Sequence, residues 1–123
     1  MELRVHKIAQ AASGGSHVTI FEAKVELVPG EVRVEVATTY PTDADPTLVT
    51  AAREAIRQGA ERVLQPRSQG AIIRVARLVV HPIDFWASTF ERYTAEELAR
   101  VLEADAEILV RQQAVCLTEP KHC

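Results

Sequence analysis

Two short segments of this sequence alternate apolar with charged residues, and a proline and a glycine separate them. Residues 21–27 read Phe-Glu-Ala-Lys-Val-Glu-Leu, and residues 32–36 read Val-Arg-Val-Glu-Val. Because successive side chains of a strand point to opposite faces, each segment predicts a β-strand with one packed and one solvated face. Pro29 and Gly30 suit the two central positions of a type II turn. The pattern therefore predicts an antiparallel β-hairpin.

Weaker patterns mark a strand on either side of this pair. Residues 3–8 alternate less clearly and predict a first strand that suits the edge of a sheet. Residues 71–80 are dense in β-branched residues and predict a central strand, although Arg74 and Arg77 interrupt the apolar run.

Two helices are also expected. Asp45 and Pro46 are typical of a helix start, and an apolar stripe follows as far as Pro66. That stripe consists of Leu48, Ala52, Ala55, Ile56, Gly59, Val63 and Leu64. Residues 94–97 (Thr-Ala-Glu-Glu) match a capping box, which predicts that the last helix begins there. We expect it to end near Gln113.

The order of elements, β-β-β-α-β-α, predicts an α+β fold. Two helices and four strands suggest a two-layer sandwich, in which a four-stranded sheet carries both helices on one face. A chain of 123 residues fits one domain. We expect a single domain over residues 1–123, with an ordered core at about 3–113 and an extended tail at 114–123.

Composition limits the classes of partner. Hydrophobic residues make up 47% of the chain, charged residues 25%, and the net charge is −3. An acidic balance gives no general attraction to nucleic acid, so no DNA partner is expected. No run of about 18 apolar residues is present, and the charged first residues do not resemble a signal peptide. These observations favour a cytoplasmic protein without membrane contact.

The sequence contains no motif typical of a cofactor or metal site. Residues 13–16 (Ser-Gly-Gly-Ser) lack the lysine and the following helix of a phosphate-binding loop. Cys116, His122 and Cys123 offer three metal ligands, but no second cluster completes a tetrahedral set. The two cysteines are also poor evidence for a disulfide framework. We therefore expect neither cofactor nor metal.

The segment from His81 to Phe90 holds the residues with the most chemical potential. His81, Asp84 and Ser88 are the types used in a nucleophilic triad, but no elbow motif surrounds the serine. A small hydrolase is accordingly only a third hypothesis, and we expect no enzymatic activity.

Aromatic residues are concentrated in and just after this segment. Phe85, Trp86, Phe90 and Tyr93 are four of the six aromatic residues of the chain. One interpretation is that they close the open end of the core. The other is that they form a stacking or protein-contact surface, because aromatic anchors dominate interface energies. Core packing is the favoured interpretation for most of them, and both remain open for Trp86.

Several short strings, in a shared order over nearly the whole chain, resemble domain IV of the translocase elongation factor G. The string at 13–18 resembles that family's Ser-Gly-Gly-(Arg-Gly-Gln-Tyr)-Gly-His-Val without the bracketed residues. Further similar strings are Leu27-Val28-Pro29-Gly30, the helix 51–64, His81-Pro82-Ile83-Asp84, Glu97-Leu98 and Leu117-Thr118-Glu119-Pro120.

This resemblance implies a fold and a function. The fold is that of domain 2 of ribosomal protein S5, with a left-handed strand–helix–strand crossover. The implied function is contact with the ribosome or RNA. The implied binding residues are the hairpin residues Pro29 and Gly30, the loop His81, Pro82, Ile83 and Asp84, and the adjoining Phe85 and Trp86.

The chain departs from the family in three respects. It has no GTPase domain, it lacks the Arg-Gly-Gln-Tyr string, and aromatic residues follow the loop where the family has serines. The first hypothesis is therefore a stand-alone, non-enzymatic module that contacts ribosome or RNA. The alternative is a protein-interaction or oligomerisation domain that keeps the fold without the ribosome contact.

Overall fold

The protein is an α+β sandwich, in which two helices pack on a mixed sheet. The computed structural model describes residues 1–10 and 16–118, and the surroundings of the side chains of residues 1–9 and 16–104. The elements are β1 (Glu2–Gln10), β2 (Ser16–Val28), β3 (Val32–Val36), β4 (Thr39–Tyr40), α1 (Pro46–Leu64), β5 (Gly70–Val79) and α2 (Ala87–Thr118). The predicted fold class is confirmed. The two-residue β4, too short to show alternation, adds a fifth strand to the four expected.

Strand order contradicts the predicted hairpin. The sheet runs β1-β2-β5-β3, with β4 also beside β5. Strand β2 is antiparallel to β1 and β5, whereas β3 is parallel to β5, so β5 separates the two strands expected to pair. Alternation predicts which side chains face the core, not which strand lies next to which. The apolar run of β5 is buried more stably in the middle of the sheet than at its rim.

The β2–β3 connection passes over the beginning of β5, and two glycines permit this crossing. The backbone N–H of Ala71 donates to the Glu31 carbonyl at 3.2 Å. A Cβ on Gly70 would lie 2.5 Å from the Gly30 carbonyl oxygen and 2.6 Å from that of Glu31. Gly30 itself has φ of 105°, which an L side chain rarely adopts. The Pro-Gly pair thus makes a turn, but one that spans a third strand.

Other sequence predictions agree with the structure. β1 lies at the edge and β5 in the interior of the sheet. Asp45 caps α1, since its Oδ1 accepts from the Thr47 backbone N–H at 2.9 Å. The helix ends at Leu64, immediately before a 3₁₀ turn that contains Pro66. The predicted stripe faces inward, and Ala52, Ile56 and Leu64 are fully buried.

The start of the last helix was predicted wrongly. α2 begins at Ala87, so Thr94 lies inside the helix, where it is fully buried. Its hydroxyl has no hydrogen-bond partner among the described residues. A Cβ on Gly59 would come within 3.0 Å of the Thr94 Cβ, which shows how closely α1 approaches α2 here. The threonine and glutamate spacing that is typical of a capping box therefore lies inside α2, where this helix contacts α1, and does not mark a helix start.

The far end of α2 also differs from the prediction. The helix continues through Thr118 and does not end near Gln113, so residues 114–118 are helical. The remainder of the expected tail, 119–123, lies outside the described residues. The left-handed crossover implied by the resemblance stays a prediction.

Candidate functional site

The loop after β5 is tied by hydrogen bonds to the first residues of β2. The Asp84 carbonyl accepts from the Val18 backbone N–H at 3.0 Å, and the Trp86 indole N–H donates to the Ser16 carbonyl at 3.0 Å. The Ser16 hydroxyl also donates to the Asp84 carboxylate. Because β2 and β5 are antiparallel neighbours, the start of one meets the end of the other. The loop from His81 to Trp86 is therefore anchored to β2 through Asp84 and Trp86 at this end of the sheet.

His81 and Asp84 are adjacent, but their arrangement is not that of a triad. His81 Nδ1 accepts from the Asp84 backbone N–H at 3.1 Å and lies 3.4 Å from Asp84 Oδ2. In a triad the imidazole stands between hydroxyl and carboxylate. Here the carboxylate stands between the Ser16 hydroxyl and the imidazole, and Ser88 makes no hydrogen bond to either residue within the part of the chain described. The contacts of this loop hold its shape.

The aromatic residues divide between core and surface. Phe90 is fully buried and stacks on Phe21, with ring centroids 6.1 Å apart, while Phe85 packs partly buried against it at 5.4 Å. Tyr93 meets His17, whose Nε2 lies 3.1 Å from the tyrosine oxygen. Trp86 remains 53% exposed although its indole N–H is bonded. Core packing thus accounts for Phe90 and much of Phe85, whereas Trp86 presents its ring to solvent.

Exposed apolar side chains gather at the end of the sheet where this loop lies. Ile8, Tyr40, Ile83 and Trp86 are 65%, 62%, 84% and 53% exposed, and we call these four residues the end cluster. Ile8 pairs with Val18 and Tyr40 with Val79, so both lie near the end of the sheet that the loop follows. The only other large apolar residue exposed among the described side chains is Leu27, which pairs with Ala71 at the opposite end.

Of the end cluster, Ile83 and Trp86 were expected from the sequence, whereas Ile8 and Tyr40 were not. Ile8 follows Arg4 and His6 on the charged side of β1, so an apolar residue at an outward position was a usable signal. Tyr40 carried no comparable signal, because its position depends on the short pairing of β4 with β5.

The predicted binding residues do not form one site. Pro29 and Gly30 lie where β5 begins, whereas His81 to Trp86 follow its end. Ten residues of extended strand separate the two groups, a span of roughly 30 Å. Gly30 instead borders a cleft of about 240 Å³ that Glu31, Glu61, Gln65, Ser68 and Gln69 also line.

Arginines that could contact phosphates are spread over both layers of the fold and do not share one surface. Arg33, Arg74 and Arg77 belong to strands of the sheet, Arg53 and Arg57 to α1, and Arg92 to α2. Carboxylates accompany several of them: Arg74 lies 3.3 Å from Glu26 and 3.7 Å from Glu35, and Arg92 lies 3.7 Å from Glu96.

The same pairing of charge occurs on α1. Arg57 bonds to both Glu54 and Glu61. The hydrogen bond from Arg57 lowers the pKa of Glu54, and the hydrogen bond to Glu54 raises the pKa of Arg57. The carboxylates beside Arg57, Arg74 and Arg92 reduce the positive potential that would attract phosphates.

Among the described residues, no group of three or more histidine, cysteine, aspartate or glutamate side chains is arranged to hold a metal ion. His122 and Cys123, from the ligand set weighed above, lie outside those residues. Of the described helices, none is long and apolar enough to cross a membrane. No family model matches the sequence, and no curated protein matches it either.

Proposed function

We propose that this domain is a non-catalytic docking module that binds a partner protein through the end cluster. The observation that carries the proposal is the position of the exposed large apolar side chains: of the five among the described residues, four lie at one end of the sheet. Aromatic and aliphatic side chains that are exposed together are typical of protein-contact surfaces. Trp86, a residue type enriched among interface hot spots, is the expected anchor.

The rigidity of the loop supports this function. Hydrogen bonds to Ser16 and Val18 fix the loop before any partner binds. A surface that is already ordered loses less conformational entropy on association, so more of its apolar burial appears as affinity. The exposure of Ile83, at 84%, is then explained by its position at the tip of an anchored loop.

The pattern of charge favours a protein over RNA as partner. Arg57, Arg74 and Arg92 are each accompanied by carboxylates, and the chain carries a net charge of −3. A surface that binds RNA would neutralise phosphates with lysine and arginine. A protein partner needs no such excess of cations.

Contact with the ribosome, as a module like domain IV of elongation factor G, is the second candidate. One observation favours it: Ser16 to Val18 and His81 to Asp84, which belong to two of the strings that carry the resemblance, are joined by hydrogen bonds at one end of the sheet. Exposed Trp86 and Tyr40 rings can stack on unpaired bases.

An affinity capture with matched variants tests the proposal. The immobilised wild-type chain is compared with Trp86→Ala and with Leu27→Ala, which removes an exposed apolar side chain at the other end. We expect a protein captured by wild type and Leu27→Ala and lost with Trp86→Ala, with capture unaffected by ribonuclease and by salt between about 50 and 200 mM. Equal capture by all three chains would refute the docking surface.

Purified small ribosomal subunits test the second candidate directly. Binding to these subunits that weakens steeply as salt increases, and that depends on Trp86, would indicate that the partner is RNA and not a protein. Absence of binding at about 50 mM salt, where electrostatic contacts are strongest, would remove the ribosome as a partner.

A further inference from the structure

The turn at the tip of the loop after β5 is closed by a histidine side chain. The Asp84 backbone N–H donates to Nδ1 of the His81 ring at 3.1 Å. The turn encloses Pro82 and Ile83, and Ile83 is the most exposed member of the end cluster, at 84%. Asparagine and aspartate side chains often close turns of this kind, with an oxygen that always accepts. A histidine nitrogen differs, because protonation turns it from an acceptor into a donor.

The same ring nitrogen lies beside a donor and an acceptor. Oδ2 of the Asp84 side chain is 3.4 Å from Nδ1 of His81, slightly farther than the Asp84 backbone nitrogen. In the neutral ring, the bond from the backbone N–H requires that Nδ1 carry no hydrogen, so the ring hydrogen lies on Nε2. In the charged ring, Nδ1 carries a hydrogen that opposes the backbone N–H and can be donated to Oδ2. The turn therefore has two arrangements, and one proton selects between them.

Strand β2 holds Asp84 independently of His81. Oδ1 of Asp84 accepts from the Ser16 hydroxyl, whereas it is Oδ2 that lies beside the imidazole. The Asp84 carbonyl accepts from the Val18 N–H at 3.0 Å. Neither of these bonds involves the histidine. Proton uptake by His81 thus changes the tip of the loop and leaves its base attached to β2.

Other titratable and charged groups at this end of the sheet have different partners. In the described structure, no carboxylate except that of Asp84 lies within 4 Å of a His81 ring nitrogen. The remaining groups are His17 of β2 and Tyr93 of α2, which contact each other, Lys7 of β1 and Arg92 of α2, which lie over the Tyr93 ring, and Arg77 of β5, which lies over the Tyr40 ring of β4. The His81 side chain is 45% exposed, so it exchanges protons directly with solvent.

We propose that His81 is a pH-sensitive switch that regulates docking through the end cluster, an inference that rests on the function proposed above. With the ring neutral, the backbone bond closes the turn and fixes the position of Ile83. Proton uptake breaks that bond, so Ile83 is no longer fixed for a partner. A partner that binds the closed turn favours the neutral ring, and docking therefore weakens on acidification. Histidine side chains change charge between about pH 5 and 8, which sets the range of the response.

Nuclear magnetic resonance of the full chain, without a partner, tests the switch itself. At about pH 8 the nitrogen signals of the His81 ring should show a hydrogen on Nε2 and none on Nδ1. On acidification to about pH 5.5, protection of the Asp84 amide from hydrogen exchange should fall at least about 5-fold, after correction for the intrinsic effect of pH on exchange. Protection of the Val18 amide should stay unchanged. A hydrogen on Nδ1 of the neutral ring, or constant protection at Asp84, would overturn the switch.

His81→Asn gives a turn that cannot switch. The asparagine oxygen replaces Nδ1 as the acceptor for the Asp84 N–H and does not change charge with pH. We expect protection of the Asp84 amide in this variant to be the same at both pH values. His17→Gln is the matched control, because it removes a histidine of β2 at the same end and should respond to pH like the wild-type chain. A response that is lost with His17→Gln and kept with His81→Asn would contradict the proposal.

Retention of captured protein tests the regulation of docking. The immobilised wild-type chain and His81→Asn capture protein at about pH 8, as in the affinity experiment above, and are then washed at about pH 5.5. Both chains meet the same partner at the same pH, so titration of the partner cancels in the comparison. We expect equal capture at the higher pH and about 5-fold weaker retention by the wild-type chain at the lower one. Equal retention there would overturn the regulation alone, whereas absence of Trp86-dependent capture at the higher pH would refute the docking function on which it rests.

Discussion

The two ends of the sheet are built in opposite ways. At the end where β5 begins, the β2–β3 connection crosses the backbone of β5. A Cβ on Gly70 would collide there with the carbonyls of Gly30 and Glu31. At the end where β5 finishes, a hydrogen-bonded loop carries Ile83 and Trp86 into solvent. The first arrangement fixes strand order, and the second presents apolar surface. Turn motifs and aromatic runs look equally functional in a sequence, but among the described residues only the second end exposes several large apolar side chains.

The largest expected effect is on stability at the crossing end. Gly70→Ala places a Cβ about 2.5 Å from a backbone oxygen, so the crossing must shift. We expect unfolding free energy to fall by about 3 kcal/mol, comparable to severe overpacking. Chemical denaturation measures this loss. Gly30→Ala is the matched control, because its Cβ would meet nothing within 4 Å and only its φ of 105° is strained. It should cost about 1 kcal/mol. Equal costs for the two variants would contradict the crossing.

At the docking end, substitution should change affinity far more than stability. Trp86→Ala is expected to weaken partner binding by about 2 kcal/mol, roughly 30-fold, as for other interface tryptophans. Because the ring is half exposed, the unfolding free energy should fall by only about 1 kcal/mol, mainly for the bond to Ser16. Titration calorimetry and denaturation measure the two quantities. If the variant lost stability but kept its affinity for the partner, Trp86 would stabilise the fold and would not be the binding anchor.

A smaller change should loosen the loop without removing any of its exposed side chains. Ser16→Ala deletes the hydroxyl that donates to the Asp84 carboxylate. We expect a stability cost of about 1 kcal/mol and faster amide hydrogen exchange at Val18, whose N–H bonds to the Asp84 carbonyl. Exchange at Ala71, at the crossing end, should stay unchanged. Equal acceleration at both amides would mean that the loop is not an independent unit.

The smallest effect is expected on the exposed face of α1, away from both ends. Arg57 lowers the pKa of Glu54 in the folded chain, so this pair stabilises the fold above the ordinary carboxyl pKa. The contribution is lost as pH falls through the lowered value. Since both side chains are partly solvated, Glu54→Gln should cost only a few tenths of a kcal/mol at neutral pH. Chemical denaturation should show that Glu54→Gln is less stable than the wild-type chain at pH 7. At a pH below the pKa range of carboxyl groups, the two chains should be equally stable.

Much of the fold could be predicted from the sequence because local patterns determine local structure. Alternation identified β2 and β3 and, less clearly, β1, the run of β-branched residues identified β5, and Asp45-Pro46 and Pro66 marked the limits of α1. Strand neighbours could not be predicted this way, because the alternating faces of β2 and β3 fit either partner. The helix start predicted at Thr94 was wrong for a related reason. The sequence around Thr94 matches a helix cap, whereas its burial depends on the contact with α1 across the core.

The candidate site was predictable only in part. The segment 81–86 stood out by its aromatic residues and its place after a central strand. Ile8 and Tyr40 joined it through strand register, which is a tertiary property. Pro29 and Gly30 were grouped with it by resemblance, and strand order puts them at the other end of the sheet.

Site-specific photocrosslinking tests the docking end most directly. A photoreactive phenylalanine derivative replaces Ile83 in one version of the full chain and Leu27 in another, since both side chains are exposed at opposite ends. We expect a discrete cross-linked protein from position 83 that disappears when Trp86→Ala is added, and none from position 27. Cross-links from both positions, or from position 27 alone, would contradict the assignment of docking to the end cluster.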